Sequence, residues 1–215
     1  MAVRYPVVAG VCAVLVCAAF MPFADADQLS ALVVVAATVL AVTGYTWFAA
    51  TRTGSEPGRP ATVHRVRQQH RLTSRSWIEI DEEPGPRWIP VFFDPALVTM
   101  PTPTTATVHD AGRRSVVTWN GRRLLPSGRA RRSEPDGRLI DNPSRPNPDG
   151  PGRARIAARP VRRIVLDAQF AVVAPFAGAL WVYGAGGGFS AFAGATCVAA
   201  VVAVWFAAVR GSDPS

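Results

Sequence analysis

Two pairs of uncharged apolar segments, one pair near each end of the chain, decide what this sequence can fold into. Residues 5–23 carry no charged side chain, and residues 29–50 carry none either. The first run is just long enough to cross a hydrocarbon core of ~30 Å at ~1.5 Å per residue. Asp25 and Asp27 fill the gap between the two runs, so residues 1–50 read as one helical hairpin with spans over 5–23 and 29–50. Ala24-Asp25-Ala26 also matches a signal-peptide cleavage pattern. Only Arg4 charges the leading end, however, and a second apolar run follows at once, so the hairpin accounts for both runs together.

A second hairpin is expected over residues 164–210, with spans over 164–183 and 189–209 joined by the glycine turn 184–188. That turn lacks the preceding strand of a phosphate-binding loop, so nucleotide binding gains nothing from it. Asp167 is the single acid within an apolar run, and such residues are functional hypotheses by default. It lies about one turn inside, within reach of Arg162 or Arg163, and a local salt bridge is the expected role. Ala191, Ala195, Ala199, Ala203 and Ala207 recur at every fourth position, which suits close helix packing in lipid.

Charge sets the orientation. All 23 basic residues are arginine, and every one except Arg4 and Arg210 lies between the hairpins. Arg52, Arg59, Arg65 and Arg67 follow the second span, and Arg153, Arg155, Arg159, Arg162 and Arg163 precede the third. The opposite side offers only Asp25, Asp27 and a glycine turn. The excess of arginine marks the cytoplasmic side of an inner (plasma) membrane, with both termini and the central domain inside the cell. The net charge of +8 sits almost wholly in the middle, where an anionic partner is expected.

The middle divides into a basic linker (51–73), a small β-domain (74–140) and a Pro/Gly/Arg-rich flexible linker (141–163). Residues 77–81 alternate apolar and acidic, and 88–93 form a second strand in which Pro90 implies an edge or bulge. Further strands are read at 97–100, 104–109, 116–119 and 122–125. Asn120-Gly121 joins the last two as a hairpin signal, pairing Trp119 with Arg122 and Val117 with Leu124. A cation–π contact across the first of these pairs would be worth ~0.5–1 kcal/mol. About five or six short strands point to an OB-like or SH3-like barrel or open sheet. The fold class is therefore α+β: two transmembrane hairpins flanking a cytoplasmic all-β domain.

No pattern points to catalysis, a metal or another cofactor. Cys12, Cys17 and Cys197 lie in apolar runs and lack metal-ligand spacing. Glu79, Asp81, Glu82 and Glu83 read as a solvated strand end facing the domain's own arginines, and His64, His70 and His109 are scattered. The basic run 122–138, with Trp119, Arg122 and Arg123 at its start, has one stacking ring and the charge to meet nucleic acid. Membrane tethering favours lipid headgroup phosphate instead, at ~1 kcal/mol per basic residue near an anionic leaflet. The arginines from Arg153 to Arg163 suit that role best.

The central wording RWIPVFFDPALVTMPTPTTATVHDAGRRSVVTWNGRRLLPSGRARRSEPDGRLIDNP, with its flanking hairpins, resembles small actinobacterial membrane proteins of the mycobacterial and nocardial kind. The resemblance implies a small multi-pass membrane protein and carries over no activity and no site residue. The expected function is a non-enzymatic interaction or scaffolding module near anionic headgroups, with a protein partner or a second copy of the chain as companion. The alternative is an accessory subunit for transport or a channel, with the β-domain as a regulatory cap.

Overall fold

The computed structural model describes residues 3–52, 57–111 and 114–215, and residues 53–56 of the expected linker lie outside them. The chain begins with α1 (Arg4–Phe20), a 3₁₀ turn at Met21–Phe23 and α2 (Ala26–Arg52). There follow β1 (Arg59–His70), β2 (Thr73–Ile80), β3 (Arg87–Val91), α3 (Ala96–Thr99), β4 (Thr104–Ala111), β5 (Arg114–Trp119), β6 (Arg122–Leu124) and β7 (Arg138–Asp141). It closes with α4 (Gly150–Ala157), α5 (Pro160–Ala168), α6 (Ala174–Ala185) and α7 (Gly188–Val209).

Two compact units result. A helical unit takes Arg4–Trp47 and Ile164–Val209, and a β unit takes Phe48–Arg163 with Arg210–Ser215. In the first, four helical stretches of 20, 27, 26 and 22 residues are long and apolar enough to cross a membrane. Asp25 opens α2 by accepting a hydrogen bond from the Gln28 amide at 2.8 Å, an N-cap contact that satisfies one orphan donor. The hydroxyls of Thr38 and Thr46 donate to carbonyls one turn back at 2.8 Å, so they leave no demand for water. Pro175 breaks the third stretch. It lacks an N–H and crowds the carbonyl four residues earlier, and the chain passes through a 3₁₀ segment at Gln169–Val173 before α6 begins. The packing of the unit gathers Ala13, Val39, Trp205 and Val209 from α1, α2 and α7.

The β unit is a seven-stranded antiparallel sheet in the order β3-β2-β1-β4-β5-β6, with β7 added beside β1. It curls into a half-barrel. Residues 125–131 run along the outer edge of β3: Phe92 donates to Leu125, Ser127 to Pro90, and Trp88 and Arg131 exchange both amide bonds at 2.8 and 2.9 Å. Pro90, which has no amide to offer, thus sits on the end strand as its chemistry requires. One face buries Val63, Ile78, Ile80, Ile89, Val91, Val108, Val117 and Leu124. A smaller cluster of Val66, Trp77 and Trp88, at the alternate strand positions, packs on the opposite face.

The hairpin reading holds in detail. Trp119 pairs with Arg122 and Val117 with Leu124, and Asn120 and Gly121 take φ of +46° and +71°, the turn that matches strand twist. Three expectations are corrected. The supposed linker 51–73 contains β1, the strand that β2, β4 and β7 all pair with. Residues 97–99 belong to helix α3 and not to a strand, because Asp94 and Pro95 start a turn: the Asp94 carboxylate accepts from the Ala96 amide at 2.9 Å. The supposed flexible linker 141–163 is structured. Asn142 donates to the Leu97 and Met100 carbonyls at 2.7 Å, and α4 buries Gly150, Ala154 and Ala157. Proline in the first turn of α4 initiates the helix instead of breaking it.

Candidate functional site

The β unit is organised around a buried charge pair that the strand pattern does not reveal. Arg65 of β1 is 4 % exposed and donates to Asp213, which is 1 % exposed, at 2.5 Å. Ser76 donates to the same carboxylate at 2.5 Å, and the Ser215 amide donates to its other oxygen at 2.9 Å. Arg65 also reaches Asn142 at 2.7 Å and Ser215 at 2.9 Å. Burial alone would raise the Asp213 carboxyl, but the Arg65 charge and the Ser76 and Ser215 hydrogen bonds outweigh it and hold the group below its ordinary range. The short polar tail after α7 is therefore an integral part of the β unit. Its backbone adds to the free end of β2, with Asp213 donating to Ser74 at 2.9 Å, and Gly211 to Pro214 are buried.

Arginines surround this tail. Arg162 donates from Nε to the Pro214 carbonyl at 2.7 Å. Burial depresses the Arg67 guanidinium; Asp213 opposes that shift, while the charges of Arg65, Arg153 and Arg162 add to it. Arg153, Arg155, Arg159 and Arg162 are exposed, but Arg163 is 7 % exposed and lies 5.6 Å from the Phe93 ring centroid. Arg163 thus departs from the other four and belongs to the packing. Between the exposed arginines stand two exposed apolar side chains, Ile156 and Val161.

The acidic strand end faces the domain's arginines. Glu82 pairs with Arg59 and, at 2.9 Å, with Arg87; Arg87 also holds Asp110 at 2.8 Å. Burial would raise Asp110, but hydrogen bonds from Arg87 and Ser115 and the Arg87 and Arg59 charges pull it down. Asp81 lies 3.2 Å from His64. Burial, reinforced by Asp81, Asp141 and Glu134, raises Glu79 against the pull of His64. Among the described residues, no group of His, Cys, Asp and Glu is arranged to hold a metal ion. This network ties β1, β2, β3 and β4 together.

The remaining sequence candidates fall elsewhere. Trp119 packs against the larger core cluster, while Arg122 and Arg123 are exposed at the β5–β6 hairpin. The observed cation–π contacts include those of Arg75 and Arg131 with Trp77, at 5.3 and 4.4 Å to the ring centroid. In the helical unit, Asp167 is buried and accepts a hydrogen bond from the Tyr5 hydroxyl at 2.7 Å, a partner the sequence reading had not weighed. The alanine row on α7 divides. Ala191, Ala195 and Ala199 line a cavity of about 670 Å³ with Ala31, Leu32 and Val35 of α2, whereas Ala207 is buried. The close approach of α6 to α7 centres on Gly178, where any Cβ would lie 2.9 Å from the Phe192 carbonyl oxygen.

None of Arg65, Arg67, Asp213 and Arg75 stood out as a site in the sequence, and Arg131 entered only as part of the basic run 122–138. The arrangement offers guanidinium groups to an anion. Comparison with protein families, curated proteins and solved structures found no match for the chain.

Proposed function

We propose that the chain is a multi-pass inner-membrane protein whose β-domain serves, on the cytoplasmic side, as a non-enzymatic interaction module at the anionic headgroup surface. The observation that carries this reading is the run from Arg153 to Arg162. Four of its arginines are exposed, Ile156 and Val161 are exposed between them, and the run leads directly into a stretch long and apolar enough to span a bilayer. Arginine with interspersed branched apolar side chains suits the headgroup boundary, where each basic residue contributes ~1 kcal/mol at an anionic leaflet and less as salt rises. The Tyr5 hydrogen bond to Asp167 favours a structural role for that acid over a transport path.

The test is amide hydrogen exchange over residues 150–163 of the full-length protein in phosphatidylcholine nanodiscs with and without phosphatidylglycerol. Exchange should slow in the anionic discs, recover with added salt, and lose its lipid dependence when Arg153, Arg155, Arg159 and Arg162 are all replaced by Gln. Equal exchange in the two discs for the unsubstituted protein would sink the proposal.

A further inference from the structure

The Trp77 face of the β unit holds a second cationic group, separate from the α4 arginines and independent of the reading just given. Trp77 is 3 % exposed, and its indole N–H donates to Gln68 at 2.8 Å, which fixes the ring. The Arg131 guanidinium carbon lies 4.4 Å from the ring centroid and that of Arg75 lies 5.3 Å from it. Arg75 donates to the Ser127 hydroxyl at 3.4 Å. The backbone beneath these groups is held by hydrogen bonds: Arg131 exchanges both amide bonds with Trp88, Ser127 donates to Pro90, and Arg75 bridges to Ser212 of the tail.

Counter-charge is what distinguishes this group. Two other enclosed arginines of the domain sit beside acids: Arg65 beside Asp213, and Arg87 beside Glu82 and Asp110. Among the described residues, neither Arg75 nor Arg131 makes an ion pair, and the Nε atom of each is enclosed without a hydrogen-bond acceptor. Burial, followed by the positive charges of Arg210 and Arg131, pulls the Arg75 guanidinium down to about 10. A cation–π contact offsets only a small part of the cost of holding like charges half-buried beside one another. Both side chains remain partly exposed, and the enclosed unpartnered atom of each is Nε, not a terminal nitrogen.

We infer that Arg75 and Arg131, seated over Trp77 with the Ser127 hydroxyl between strand and tail, form a binding site for a phosphate group. A phosphate offers several acceptor oxygens to two guanidinium forks and a hydroxyl donor, and it supplies the negative charge that the protein withholds. The same chemistry is present in free phosphate and in a phosphomonoester lipid headgroup.

Thermal unfolding of the full-length protein separates these sources. In phosphatidylcholine nanodiscs, sodium phosphate should raise the unfolding midpoint beyond sodium chloride of equal ionic strength if free phosphate is the ligand. A rise only when phosphatidic acid is built into the disc assigns the headgroup. In whichever arm the effect appears, R75M and R131M should each weaken the apparent affinity about tenfold or more, while R145M, at an exposed arginine outside both cationic groups, leaves it unchanged. Circular dichroism identifies any variant that has not folded, and the remaining variant then carries the comparison. No stabilisation beyond chloride in either arm, or undiminished affinity in a folded R75M or R131M, overturns the site.

Discussion

The Arg65–Asp213 pair shows how one residue outside every predicted element can organise a domain. Asp213 lies in a short polar tail after the last apolar run, and nothing in its neighbours marks it as buried. It becomes legible only once β1 is known to place Arg65 inside the sheet. Removing one partner of such a pair leaves an uncompensated buried charge, so Asp213→Asn should cost about 3–5 kcal/mol in urea unfolding of the β unit. Replacing both partners with apolar side chains should recover much of that loss. The pH dependence has a definite sign. The folded carboxyl sits below its ordinary value, so its stabilisation is present above the unfolded value of about 3.9 and is lost as pH falls through the folded value. Acid titration of stability should therefore be steeper for the natural protein than for Asp213→Asn. Identical acid limbs would remove Asp213 from the account.

At the scale of elements, legibility followed whether buried positions were apolar. β2 was readable because Ile78 and Ile80 alternate with Glu79 and Asp81. β1 was not, because its buried positions include Arg65 and Gln68, each satisfied by partners outside the strand: Asp213 for the first, Trp77 and the Asp136 carbonyl for the second. Likewise the Pro- and Gly-rich stretch after β7 looked unstructured, although its small residues are what let α4 lie against α3. The Asn120-Gly121 turn was the clearest local signal, since its chemistry depends on backbone conformation alone. Gly121→Ala meets no neighbouring atom within 4 Å, so its whole effect comes from forcing a side chain onto a φ of +71°. That should cost about 1 kcal/mol in chemical unfolding. No loss of stability would mean that the turn does not need its left-handed geometry.

For the whole molecule, the chain connections carry the topological argument. The residues that leave α2, those that lead into α5 and those that follow α7 all belong to the β unit. If the four apolar stretches cross a bilayer, each hairpin must then return to the side from which it left, and the tail that binds β2 must share that side. The orientation proposed above puts that side in the cytoplasm, because Arg52, Arg59 and the arginines from 153 to 163 adjoin the helices on the β-unit side, against Asp25 and Asp27 at the opposite turn. The exposed hairpin residue Arg122 provides a probe. With Cys12, Cys17 and Cys197 replaced by Ala, Arg122→Cys should resist a membrane-impermeant maleimide in intact cells and react after lysis, while Asp27→Cys should react in both. Labelling of Arg122→Cys in intact cells would place the β-domain outside, and with it the arginine face that the headgroup reading assigns to the inner leaflet.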